Sequence, residues 1–152
     1  MNYNSGCSNL LSAIIQRVSG MKTIDFAYKH LFTPLGITEV VWHEKQGISL
    51  GANGLKMTAS DMLRLGSLYL QQGLWNGEQL VPAQWVLEST KPRFLTYSEI
   101  GHYGYHWWVS ELEREGKKVP YYFAMGLFGQ FIIVYPSLKL WLFLLVKTMA
   151  TL

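Results

Sequence analysis

Ser19-Gly20-Met21-Lys22 has the Ser-x-x-Lys form of a serine nucleophile set beside an amine base. Gly20 is a helix-stop residue, however, so Ser19 falls at the end of a helix, and a nucleophile there is not expected. Tyr3 carries a phenol, normally near pKa ~10, which becomes a useful base only beside positive charge. Taken alone it reads equally as a frayed terminal tyrosine. Gly126 and Gly129 have the spacing of bulge glycines, which is compatible with an anion-binding backbone. Gln130 is either a polar strand start or a residue on the rim of a site. His30, His43, His102 and His106 show no metal-ligand spacing, because His102 and His106 enter a strand, where residues four apart do not share one helical face. Asp61 reads as a helix-cap carboxylate, and Cys7 as an unreactive thiol with no cation near it in sequence.

The elements that must position these residues follow from periodicity and stop signals. Residues 9–18 repeat apolar side chains at helical spacing and end at Gly20, which predicts an amphipathic helix. A second helix is expected over 23–32 with Thr23 as its cap, then a long irregular loop over 33–56. Thr58-Ala59-Ser60-Asp61 caps a third helix running to Gln72 and stopping at Gly73, and Pro82 opens a short fourth one. After Thr90 the texture turns β-branched and aromatic, predicting strands over 103–110, 119–125, 130–135 and 140–148. Helices first and a meander last make an α+β chain, about 1–93 helical and about 94–152 antiparallel strands. The paired rings Trp107-Trp108 and Tyr121-Tyr122 put one ring on each face of a strand, with core packing as the default.

The whole inventory limits function further. The chain has 152 residues, 49% hydrophobic and 15% charged, enough to bury a core without metal or disulfide. Net charge is +3, from 13 basic and 10 acidic residues, and the one dense charge cluster, 111–118, mixes signs as a solvated hairpin tip does. Nucleic-acid binding is therefore not expected. One cysteine excludes an internal disulfide framework. The apolar run 131–146 is interrupted by Pro136 and Lys139 and is too short to span a bilayer, so it is read as a pair of buried strands.

Blocks in order along the chain carry a resemblance. They include Tyr3-Asn4-Ser5 before Leu10-Leu11-Ser12-Ala13-Ile14-Ile15, then Gly54-Leu55-Lys56-Met57-Thr58-Ala59-Ser60-Asp61-Met62 and Val81-Pro82-Ala83-Gln84-Trp85-Val86. Tyr103-Gly104-Tyr105-His106-Trp107-Trp108 and Ala124-Met125-Gly126-Leu127-Phe128-Gly129-Gln130 complete them. The sequence resembles the serine beta-lactamase-like hydrolases, which include class C beta-lactamases, penicillin-binding proteins and esterases. The tryptophan-rich spacing leans toward the 6-aminohexanoate-dimer-hydrolase-like branch.

The resemblance implies a partial beta-lactamase/transpeptidase-like α+β fold and hydrolysis of a small amide or ester through an acyl-serine. Neither a cofactor nor a metal is implied, and family members are often extracytoplasmic in bacteria. Tyr3 takes the role of the motif tyrosine in proton transfer and Ser5 the third motif position. Ala124-Met125-Gly126 matches the segment that reads Lys-Thr-Gly or His-x-Gly in other members, on an edge strand. The backbone at Gly126 and Leu127 then supplies an oxyanion donor, with Gln130 on the rim. Lys147-Thr148-Met149 is a look-alike of that segment without its glycine. Ala124 lacks the cation that would hold a substrate carboxylate, which argues against penicillins, and Phe128 stands where related esterases often carry Gly, narrowing the site.

By this alignment the catalytic Ser-x-x-Lys helix lies upstream of Met1. The expectation is a C-terminal portion of a serine hydrolase, inactive alone, with uncovered apolar surface and a tendency to self-associate. The alternative is a non-catalytic binding or interaction module on the same fold.

Overall fold

The computed structural model describes residues 3–146. The chain divides into two compact units, one ending at Asp61 and the other beginning at Met62.

In the first unit, α1 (Ser5–Ser19) begins four residues before the apolar periodicity does. Asn4 causes the early start: its backbone is extended and its side-chain oxygen accepts the Gly6 N–H at 2.7 Å, satisfying one of the unpaired donors of the first turn. Gly20 ends the helix at φ 69°, as its position after the last apolar residue predicts. The face that packs is the surprise. Ser12 is the buried residue of α1, while the apolar stripe Leu10, Leu11, Ile14, Ile15 and Val18 is exposed, Val18 at 81%.

The polar side of α1 is held by specific contacts. Ser12 Oγ donates to Thr23 Oγ1 at 3.0 Å, Thr23 Oγ1 donates to the Ser12 carbonyl at 2.9 Å, and the Ala52 N–H donates to Asn9 Oδ1 at 3.2 Å. Gly51 lies so close that a Cβ there would sit 2.1 Å from the Ser8 carbonyl oxygen. Thr23 therefore anchors α1, and no side-chain cap opens α2 (Thr23–Ala27), which widens into a π-helical turn over Tyr28–Phe32. The segment expected as an irregular loop contains two small antiparallel pairs. β1 (Val41–Trp42) joins β4 (Leu55–Lys56), and β2 (Glu44–Lys45) joins β3 (Ile48–Ser49).

α3 (Ala59–Leu70) opens on a capping box. The Thr58 hydroxyl accepts the Asp61 N–H at 3.2 Å, and Asp61 Oδ2 accepts the Thr58 N–H at 3.2 Å and the Thr58 hydroxyl at 2.6 Å. In the second unit β5 (Leu74–Trp75) and β6 (Glu78–Gln79) form a hairpin before α4 (Ala83–Ser89), which Pro82 precedes.

A six-stranded antiparallel sheet follows, rather than the shorter meander expected. It consists of β7 (Phe94–Leu95), β8 (His102–Tyr103), β9 (Trp108–Arg114), β10 (Lys117–Met125), β11 (Gln130–Tyr135) and β12 (Leu140–Leu145), in the spatial order β12-β11-β10-β9-β8-β7. The predicted strand over 103–110 is two strands because His106, at φ 62°, breaks the extended backbone. The final strand ends at Leu145; the expected continuation to Thr148 and the Lys147-Thr148-Met149 look-alike lie outside the described residues.

The core of this unit is Trp107, Val109, Tyr122 and Val134, with Tyr69 and Leu70 of α3 packed against it. Gly66 permits the close approach of helix to sheet: a Cβ there would lie 3.0 Å from Ile132 and 3.1 Å from Trp141. Trp107 and Trp108 are both buried, so neither is left to line an open groove. β12 is a largely exposed outer strand, which corrects the expectation of two buried strands over 131–146.

Candidate functional site

In the first unit, the Asn4 cap fixes the chain between the two predicted motif residues. Tyr3 immediately precedes the cap, and Ser5 is the first residue of α1; both are exposed. Asn4 was not singled out by its chemistry, although an Asn ahead of a helix is a recognised start signal. Ser19 has another occupation. Its hydroxyl donates to the Ile15 carbonyl at 2.6 Å and accepts the Met21 N–H at 3.2 Å, while Lys22 pairs with Glu44 at 3.2 Å. The Ser-x-x-Lys look-alike is thus a closed helix end.

The other predicted residues lie in the second unit, on the turn between β10 and β11. The register Ala124↔Ile132 and Met125↔Phe131 carries the two strands to the turn. The Gly126 N–H donates to the Gln130 carbonyl at 2.8 Å, the Gly129 N–H to the Gly126 carbonyl at 3.1 Å, and the Val146 N–H to the Gly129 carbonyl at 2.8 Å. Gly129 is at φ 80°, and a Cβ there would lie 2.7 Å from the Val146 carbonyl oxygen, so this corner requires glycine. At Gly126 an added Cβ would collide with Gln130 Oε1, which shows the Gln130 carboxamide lying against Gly126. Gly126, Leu127 and Gln130 are therefore gathered in one turn. The Gly126 N–H is spent closing it, whereas among the described residues none of the backbone hydrogen bonds of the turn uses the Leu127 N–H.

The expectation of an edge strand needs correction. β10 lies inside the sheet, between β9 and β11. Its pairing is staggered, however: β9 pairs with Lys117 through Phe123 only, so Ala124 and Met125 are flanked by β11 alone. The exposed margin arises because β9 begins at Trp108, opposite Phe123. Ala124 packs beside the Trp107–Tyr122 core, where a small side chain fits. Leu127 and Phe128 stand out from the turn at 92% and 71% exposure. Residues 119–138 contain no Asp, Glu, Lys, Arg or His, so the turn has no charge of its own.

The strongest electrostatic perturbation falls elsewhere. Burial pushes the Tyr122 phenol well above its ordinary value, reinforced by Tyr69, and its hydroxyl donates to the Tyr69 carbonyl at 3.2 Å. On the surface, hydrogen bonding from Lys91 lowers the Glu88 carboxyl, with burial opposing and Arg93 assisting. Arg93 also lies over the Tyr105 ring at 4.4 Å, and Tyr105 stacks on Trp85. Among the described residues no cluster of His, Cys, Asp and Glu could hold a metal ion, and no helix is long and apolar enough to cross a membrane.

Helices leading into an antiparallel sheet, with a glycine-bounded turn at the end of an inner strand, define a class that the comparisons with known proteins identify. The model of the Beta-lactamase family matches residues 1–152, and the chain belongs to that family. It is 26% identical over 140 residues to the 6-aminohexanoate-dimer hydrolase of Paenarthrobacter ureafaciens, covering 84% of this chain and 34% of that protein.

Two solved structures share the fold. One is a Bacillus anthracis protein provisionally assigned as a 6-aminohexanoate-dimer hydrolase, with TM-score 0.76, 23% identity, and 91% of this chain and 36% of that one covered. The other is the octameric penicillin-binding protein homologue of Pyrococcus abyssi, with TM-score 0.65, 18% identity, and 87% and 35% covered. The chain thus spans about a third of the length of these relatives.

Proposed function

We propose that this chain is the C-terminal part of a serine hydrolase that cleaves a small amide or ester through an acyl-serine intermediate. The serine and its lysine partner come, in this reading, from a Ser-x-x-Lys helix outside these residues, and the chain alone is inactive. In the acylation step the serine oxygen bonds to the substrate carbonyl carbon, its proton passes by way of Tyr3 to the leaving group, and water later releases the acid. Ser5, on the first turn of α1, supports the lysine or the substrate. The Leu127 N–H receives the developing oxyanion, with the Gln130 carboxamide at its side.

The observation that carries this reading is the turn itself, where the Leu127 N–H is left out of the bonds that close Gly126 to Gly129. Ala124 offers no cation to a substrate carboxylate, which favours neutral amides and esters over penicillins. A fluorophosphonate probe tests the assignment. The purified chain is expected to remain unlabelled, and covalent labelling at Ser19 or any other serine would refute a nucleophile from elsewhere.

A further inference from the structure

We infer that Leu127 and Phe128 form the specificity wall of the site, selecting substrates with an uncharged, apolar acyl group of several carbons. This rests on the oxyanion role proposed for the Leu127 N–H.

The argument begins with covalent geometry. An oxygen accepting from an N–H sits ~2.9 Å from the nitrogen, and the Cβ of the same residue is ~2.5 Å from that nitrogen. A carbonyl held by Leu127 therefore has the Leu127 side chain within about 5 Å, and the adjoining substituent of the substrate must run beside it.

The chemistry of that surface is unusual for a hairpin. Turns of this kind are ordinarily polar, because their side chains face water. Here the two residues between Gly126 and Gly129 are large and apolar, and they are exposed at 92% and 71%. Neither contributes to closing the turn, which is held by backbone bonds at Gly126, Gly129 and Val146. Their apolar surface has no structural task within the hairpin, whereas covering it with an acyl chain is favourable. A carboxylate placed there would find no cation within the turn, since residues 119–138 carry no charge. The apolar margin continues onto Met125, Leu145 and Val146, all exposed, which gives room for a chain rather than a single methyl group.

The experiment is a titration of the ¹⁵N-labelled full chain with acetamide, butyramide, hexanamide and the monoamide of adipic acid, following the backbone amide signal of residue 127. The expected result is a saturable shift at residue 127, with affinity rising about 2- to 4-fold for each added methylene. The adipic monoamide should bind no better than acetamide. In Leu127→Ser and Phe128→Ser the dependence on chain length should flatten while residue 127 still responds to acetamide. Both side chains are exposed, so the variants should retain the parent spectrum elsewhere. Absence of any shift at residue 127 would overturn the oxyanion reading and this inference with it. A shift at residue 127 that ignores chain length, or a dependence that survives both substitutions, would overturn this inference alone.

Discussion

Tyr122 joins packing and titration in one side chain. It is buried beside Trp107 and Tyr69, and its hydroxyl reaches the Tyr69 carbonyl. A raised phenol pKa means that the folded protein keeps a proton which the unfolded chain releases near pH ~10. The associated stability is complete below that pH and is lost as pH rises above it. Thermal melts should therefore fall steeply above pH ~10 in the parent and less steeply in Tyr122→Phe. That variant should also lose about 1 kcal/mol at neutral pH, from the lost hydroxyl bond to the Tyr69 carbonyl, which keeps the Gln72 N–H as its other donor. Asn4 offers a second test at this scale. Asn4→Ala removes the side-chain cap of the first turn of α1 and should cost ~1 kcal/mol in denaturant unfolding. The candidate residues Tyr3, Ser5, Gly126, Leu127 and Gln130 were proposed from short distinctive words in the sequence. Asn4 was not, because one capping residue ahead of Ser5, Gly6 and Cys7 has no apolar rhythm to mark it.

Helix α1 shows what periodicity reveals and what it leaves out. The apolar stripe foretold a helix and its stop at Gly20 correctly, but not which side packs. Contacts distant in sequence decide that: Thr23, Gly51 and Ala52 take the side bearing Ser8, Asn9 and Ser12. Leu11→Gln and Ile14→Gln should each change unfolding free energy by less than about 0.5 kcal/mol, as exposed positions do. Ser12→Leu, placed against Thr23, should cost about 1–3 kcal/mol through overpacking and the lost hydroxyl pair. The sheet was legible in part for a similar reason. Strands 119–125 and 130–135 are marked by β-branched and aromatic residues between turn signals, whereas the two-residue strands β7 and β8 are too short to carry such a mark and exist by pairing with each other and with β9. The stagger that leaves Ala124 and Met125 paired on one side only depends on where β9 begins, a property of register absent from β10 itself.

At the scale of the whole chain, a family match over residues 1–152 coexists with coverage of about a third of the relatives' length. Apolar residues of α1 and β12, among them Leu11, Val18, Leu144 and Leu145, are exposed. The dye 8-anilinonaphthalene-1-sulfonate should accordingly bind the folded chain at neutral pH, and Leu11→Glu with Val18→Lys should weaken its fluorescence while circular dichroism is retained.

The margins of the sheet are defended unequally. The projecting β9–β10 arm carries Glu111, Glu113, Arg114, Lys117 and Lys118, with Pro120 withholding a donor, all devices that discourage strand addition. β7 spans two residues and is flanked by Lys91 and Arg93. β12, by contrast, reads Leu-Trp-Leu-Phe-Leu-Leu with no charge inside the strand and Lys139 immediately before it. Among the described residues the sheet thus carries its charges toward β7 and the β9–β10 arm and its apolar strand at the β12 margin.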